Sequence, residues 1–300
     1  MKNSISKTPI SETLLKRRSL PMSITIKQRL KSIFKSAKPV SPPKQPEQEL
    51  FTFQCNICGN INENIPIQIV RNREAQSCQQ CRSSLRMRSV IYALSMELFG
   101  KNIILPDFPE DKSISGIGIS DWEGYAGLLS QKLAYINTYY HQEPKLDITQ
   151  IESNQEHQYD FIISTDVFEH IPPPISTAFT NVRRLLKPNG VLIFTVPYKK
   201  EGVTEEHFPD LFDFRIVTHK EKSFLINVTK EGVEQVFDNL VFHGGEGFTL
   251  EMRMFSELSL REELEQAQFD YVKIYNDKVP EFGIIWRISF ALPIAARADI

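Results

Sequence analysis

A chain of 300 residues with 41% apolar content can bury a sizeable core, as one large domain or one domain with a small attachment. No run approaches the roughly 18 to 20 continuous apolar residues of a spanning helix, which argues against a transmembrane protein and for a cytoplasmic one. The net charge of -2 hides an asymmetry: residues 1–45 carry eleven Lys or Arg against one acid, a net of +10, so the rest carries -12, a poor match for a polyanionic partner.

Residues 1–49 are rich in Ser, Lys and Pro, with Pro39, Pro42, Pro43 and Pro46 close together, and read as a disordered basic tail. Within it Ile26, Leu30, Ile33 and Phe34 share one face of a short helix ringed by Lys27, Arg29, Lys31 and Lys35, which suits weak peripheral contact with an anionic membrane or an acidic partner. Met22 is a second candidate start.

All four cysteines follow, in two equal pairs: Cys55-x2-Cys58, nineteen residues, then Cys78-x2-Cys81. Two such knuckles clamp one tetrahedral zinc, and four thiolates leave no open coordination position, so the expected ion is structural. The pairing points to a reducing compartment and away from a disulfide framework. Arg71, Arg73, Arg82, Arg86 and Arg88 give this module a basic patch, which keeps nucleic acid in view as a partner without favouring it. A helix follows, with Met87, Val90, Ile91, Leu94 and Leu98 on one face and Gly100 as its stop. Residues 50–100 are therefore read as a zinc ribbon with a linking helix, and 101–300 as the main domain.

From about residue 103 short apolar runs alternate with amphipathic segments. Strands are expected at Ser113–Ile119, Ala134–Tyr139, Phe161–Ser164, Val191–Val196 and Tyr271–Tyr275, and helices at Ile175–Leu186 and Leu260–Gln268, the latter opened by a Ser259-x-x-Glu262 capping box. This alternation implies an α/β fold with a parallel sheet covered on both faces. Residues 198–235, aromatic and loop-rich, break the rhythm and read as an insertion over the active face.

The first strand runs into Gly116-Ile117-Gly118-Ile119-Ser120-Asp121. The glycines allow close backbone approach to a ligand, but a dinucleotide fold would want a third glycine at position 121. The charge of Asp121 would repel a diphosphate and tolerate a ligand that carries an ammonium; capping the next helix is the competing reading.

Residues 159–198 read YDFIISTDVFEHIPPPISTAFTNVRRLLKPNGVLIFTVPY. Asp160 before an apolar strand, the loop Asp166-Val167-Phe168-Glu169-His170, the helix ending at Arg184–Gly190 and the strand ending Val196-Pro197 resemble the class I S-adenosylmethionine-dependent methyltransferases, the type 11 group in particular. The resemblance spans about residues 103–290. With the four-cysteine module it is similar to a bacterial subgroup associated with glycan or secondary-metabolite chemistry. It implies a Rossmann-like, doubly wound sheet with an insertion after the fifth strand, and S-adenosyl-L-methionine as cofactor. Gly116, Gly118, Ser120 and Asp121 would then lie at its methionine end, Asp147 and Ile148 at adenine, and Thr165 and Asp166 at the end of the fourth strand beside it. Asn137 stands where the family places an acid for the ribose hydroxyls.

Methyl transfer mainly needs a positioned acceptor and a base, and His170, with Glu169, is the expected catalytic pair, although both also suit a role in holding their loop. The Asp166-x-x-Glu169-His170 set is also similar to one that holds a divalent ion in quinone-ring O-methyltransferases. His207 and His243 are further candidates for the same pocket. The implied reaction is methylation of a hydroxyl or amine on a small-molecule or sugar-linked acceptor. RNA methylation with a zinc module for RNA recognition, and a non-catalytic scaffold that binds a protein partner, are the alternatives.

Overall fold

The computed structural model describes residues 49–243 and 249–297. The amphipathic segment at 26–35 and the glycines after His243 lie outside the described residues.

Strands β1 (Leu50–Gln54) and β2 (Ile61–Pro66) form an antiparallel hairpin with the first cysteine pair in its turn. The second pair lies in the turn before helix α1 (Leu85–Phe99), where Ser84 caps the N-terminus by accepting from the Met87 N–H and Gly100 ends the helix in a left-handed conformation. Of the hydrophobic face expected for this helix, Val90, Ile91 and Leu94 are buried and Met87 and Leu98 are half-buried against the same core, while Arg88, Ser89 and Ser95 are buried beside them.

The central sheet has six strands among the described residues: β3 (Asp111–Ile119), β4 (Leu133–Thr138), β5 (Tyr159–Thr165), β6 (Leu186–Thr195), β13 (Tyr271–Ile274) and β14 (Ile294–Arg297), in the order β13-β14-β6-β5-β3-β4. The four strands from β4 to β6 are parallel, and β14 runs antiparallel to both β6 and β13. The doubly wound expectation therefore holds for the first four strands. The 271–275 segment joins by an antiparallel edge through β14, a strand the sequence pattern did not reveal.

Alternation along β5 and β6 builds two cores. Phe161, Ile163, Val191 and Ile193 face the layer that also contains Phe53, Cys55, Val90 and Leu94, so the cysteine module and α1 share the main core. Ile162, Leu192 and Phe194 face helix α3 (Ser176–Leu185), which buries Ala178, Phe179, Val182 and Leu185. Each buried Val, Leu, Ile or Phe side chain among them contributes about 1.5–3 kcal/mol by leaving water. The described residues belong to one compact unit.

Helix α2 (Glu123–Lys132) connects β3 to β4, and α4 (Glu257–Gln266) precedes β13. The expected capping box at Ser259 is corrected: the cap is Ser256, whose side chain accepts from the Ser259 N–H, and the helix starts a turn earlier. Ser259 instead joins its hydroxyl to that of Ser256.

The insertion is more regular and longer than its sequence suggests. Short β7 (Tyr198–Lys199) and β8 (Glu205–Glu206) flank β12 (Arg253–Ser256), while β9 (Asp213–His219), β10 (Lys222–Val228) and β11 (Glu234–Phe237) form an antiparallel meander. Phe208, Leu225, Leu250 and Met252 give it a small core of its own.

Candidate active site

A cavity of about 1390 Å³ opens at the carboxyl ends of β3 and β5, where ligands bind in doubly wound sheets. Ser120, Trp122, Thr165 and Asp166 line it at the strand ends; Leu146, Asp147 and Ile148 line one flank; Glu169, His170, Pro197, Phe214, Arg215 and His243 line the flank under the insertion. Ser120 and Asp166 both adopt left-handed backbone, φ 56° and 53°, a conformation ordinarily costly outside glycine. The turn that lacks its third glycine thus has a glycine-like bend one residue earlier, at Ser120.

Of the residues expected around a cofactor, Ser120, Asp147, Ile148, Thr165 and Asp166 are brought to this cavity, whereas Gly116, Gly118, Asp121 and Asn137 are not among its walls. A Cβ on Gly116 would collide with the Phe161 ring, and one on Gly118 with the Tyr135 hydroxyl and the Asp121 carboxylate. The two rings stack at 5.9 Å and 7°, so both glycines make room for the protein's own aromatic pair. Asp121 is corrected most: its side chain turns into the core and accepts from the Tyr135 hydroxyl at 2.7 Å. Burial pushes its carboxyl up to about 7, against the hydrogen bonds that favour the anion. It presents no fixed charge to a ligand. Asn137 is braced between the Asp121 backbone, Glu123 and Tyr139.

The loop after β5 is held from two sides. Arg253, fully buried in β12, donates to the carbonyl oxygens of Phe168 at 3.0 Å and Ile171 at 2.6 Å, bracketing Glu169 and His170. His170 Nδ1 lies 3.0 Å from the Leu250 carbonyl oxygen. A carbonyl only accepts, so Nδ1 carries the proton and Nε2 keeps its lone pair in the neutral ring. Burial lowers the His170 pKa, and the Leu250 hydrogen bond works against it. Glu169 is fully buried with neither carboxylate oxygen hydrogen-bonded, and burial first, then the charge of Asp166, push its pKa well above the ordinary carboxylate range. Glu169, His170 and His243 offer ligand atoms within 4.8 Å of one another. Asp166, the first acid of that motif, is bound by arginines instead. His207 is not in the cavity wall; it packs on Glu251, which also meets His243 at 3.1 Å.

Sequence reasoning did not foresee that the cysteine module reaches this cavity. Arg73 forks onto both oxygens of Asp166, at 2.9 and 2.7 Å, and Arg86 lies 3.2 Å from the same carboxylate. Burial pushes the Asp166 carboxyl up, but the arginines outweigh it and hold it at about 2. The expected basic patch is therefore corrected: Arg73 and Arg86 are paired, Arg88 is buried, Arg71 sits 4.0 Å from Glu49, and of the five only Arg82 is exposed with no ion pair among the described residues.

In the module itself Cys55 and Cys81 sulfurs are 3.6 Å apart and Cys58 and Cys78 sulfurs 3.7 Å, and no disulfide links them. Four thiolates around one zinc at about 2.3 Å would be spaced by about 3.8 Å, so the donor set fits that ion. The fully buried guanidinium of Arg88 donates only to carbonyls of Ser83, Phe282 and Gly283. Burial draws its pKa down to about 10, and the charge that opposes this comes from the four cysteines. A zinc tetrathiolate carries the negative charge that this buried cation lacks elsewhere.

A family model described as a methyltransferase domain matches residues 94–274. No curated protein matches the chain. Among solved structures, an S-adenosylmethionine-dependent methyltransferase from Clostridium acetobutylicum is 12% identical, with a TM-score of 0.41 over 72% of this chain and 92% of that one. The Burkholderia thailandensis 1,6-didemethyltoxoflavin-N1-methyltransferase, bound to 1,6-didemethyltoxoflavin and S-adenosylhomocysteine, is 13% identical, with a TM-score of 0.39 over 72% and 78%. A Mesorhizobium loti S-adenosylmethionine-dependent methyltransferase is 12% identical, with a TM-score of 0.36 over 63% and 94%.

Proposed function

We propose, for a chain that belongs to the methyltransferase domain family, that it moves a methyl group from S-adenosylmethionine to a hydroxyl or amine of a small or sugar-linked acceptor. The observation that carries this reading is one cavity that gathers Thr165 and Asp166 at the strand ends, Asp147 and Ile148 on one flank and His170 under the insertion. When bound, S-adenosylmethionine supplies an electrophilic methyl on a sulfonium. Asp147 and the apolar Ile148 would hold the adenine, and Ser120, Thr165 and Asp166 the amino-acid end. His170, neutral at pH 7 with its Nε2 free, accepts the proton that a hydroxyl or ammonium acceptor must lose. Arg253 keeps that ring in place by fixing the loop at both ends, and the insertion roofs the acceptor side so that water is kept from the reacting atoms.

The four cysteines at 50–100 hold a structural zinc in this reading, and their module serves residues 101–300 by walling the cavity. No helix of the described residues is long and apolar enough to cross a membrane. Calorimetric titration of the purified protein with S-adenosylhomocysteine, followed by transfer of labelled methyl from S-adenosylmethionine to a panel of phenols, sugars and amines, tests the reading. Saturable binding with methylation of one acceptor class is the expected result; no binding at millimolar ligand would sink it.

A further inference from the structure

Arg73, Glu74 and Arg86 lie ahead of the residues matched by the family model, yet all three line the cavity. Together with Asp166 they form a ring of two cations and two carboxylates. Arg73 is fixed: its Nε donates to the Ala291 carbonyl and its terminal nitrogens fork onto Asp166. Arg86 is turned mainly toward Glu74, donating through Nε at 2.9 and 3.1 Å and through Nη2 at 2.8 Å, and Glu74 also contacts Arg73 Nη1.

The two carboxylates are not equivalent. The Asp166 side chain is 21% exposed and also bonded to the Thr195 hydroxyl, whereas the Glu74 side chain is 51% exposed. The arginines themselves are only 16% and 14% exposed. Two poorly solvated guanidiniums at a cavity wall need two carboxylates. One is built in; the other comes from a half-exposed side chain that water can take over at little cost. A ligand carboxylate arriving through the cavity can replace Glu74 with no change in net charge and no lost donor, and the fork geometry of arginine matches that group.

We infer that Arg73 and Arg86 are the carboxylate-recognition site of this cavity, with Glu74 as a displaceable placeholder, and that the ligand group they take is the α-carboxylate of the cofactor's amino-acid end. The inference rests on the cofactor reading above and deepens it: the cysteine module supplies part of the cofactor site.

Two ligands separate the ideas in calorimetry on the full, metal-loaded chain. S-adenosylhomocysteine carries the carboxylate; 5′-methylthioadenosine has the same nucleoside and thioether without it. Arg86→Gln should weaken S-adenosylhomocysteine on the order of ten- to a hundredfold and leave methylthioadenosine unchanged. Glu74→Gln should tighten S-adenosylhomocysteine several-fold, again without effect on methylthioadenosine. If the wild type binds both ligands and Arg86→Gln changes both equally or neither, or Glu74→Gln weakens S-adenosylhomocysteine, the inference is overturned while the cofactor reading stands. A wild type that binds neither overturns both. Should Arg86→Gln fail to fold, the exposed Glu74→Gln decides alone.

Discussion

The hydroxyl of Tyr135 occupies the space that a side chain at Gly118 would need, with the Asp121 carboxylate beside it. Gly118→Ala must therefore push against a buried ring that is itself stacked on Phe161. The expected loss is about 1–3 kcal/mol of stability, measured by urea unfolding. Tyr135→Phe removes the clashing oxygen, so the double variant should recover part of that loss relative to the sum of the two single changes. Strict additivity would show that the glycine is not there for the tyrosine.

Asp121 gives the fold a pH signature. Its carboxyl, raised to about 7 by burial, is protonated in the folded state over a range where the unfolded chain at about 3.9 is already ionised. The folded state binds the extra proton, so the contribution is complete below about pH 4 and is lost as pH rises through 7. The full span is on the order of 4 kcal/mol. Asp121→Asn keeps an acceptor for Tyr135 and should flatten the slope between pH 4 and 8 in denaturant titrations; Glu169, raised in the same direction, leaves a residual slope in both proteins. Parallel profiles for wild type and variant would refute the assignment.

Much of this architecture could be read locally. The cysteine spacing, the apolar stripes of α1 and α3 and the two-residue alternation of β5 and β6 are short-range patterns, and each leads to the element seen. What escaped depended on distance in sequence. Nothing near Arg73 announces a carboxylate 93 residues away, and the same arginines in isolation look like a nucleic-acid patch. Nothing near Asp121 says that it faces a tyrosine instead of a ligand. The strand β14 is two alanines between Ile294 and Arg297, too short to carry a period, and it exists because β6 and β13 each present an edge to it.

Loss of metal should be felt far from the cysteines. With four thiols protonated, the buried Arg88 guanidinium loses the thiolate charge that offsets its burial, and the segment that leads from Arg73 through Cys78 and Cys81 to Arg86 at the start of α1 loses its anchor. Chelation, or Cys58→Ser, should remove one zinc per chain as counted by elemental analysis and lower the melting temperature by about 10 °C or more. Cofactor affinity should fall with it. A chain that contains no zinc when purified from zinc-replete medium, yet melts at the same temperature after chelation, would exclude the structural ion.

His170 carries the prediction closest to the chemistry. Its Nδ1 is committed to the Leu250 carbonyl, so only Nε2 can take a proton from the acceptor, and only while the ring is neutral. Burial lowers its pKa below the ordinary imidazole value of about 6.5. The rate constant kcat/KM should therefore rise with pH to a plateau already reached by neutrality, with an acid-side inflection below 6.5. In the proposed reading His170 acts on the acceptor and not on the cofactor, so His170→Ala should reduce kcat by roughly 10²- to 10⁴-fold while S-adenosylhomocysteine binds as before. Arg253→Met, which frees the carbonyls of Phe168 and Ile171, should lower kcat without moving that inflection into the range of free histidine, since it loosens the loop and leaves the Leu250 contact in place. An inflection that persists in His170→Ala would assign the base to another group, with Glu169 the next to examine.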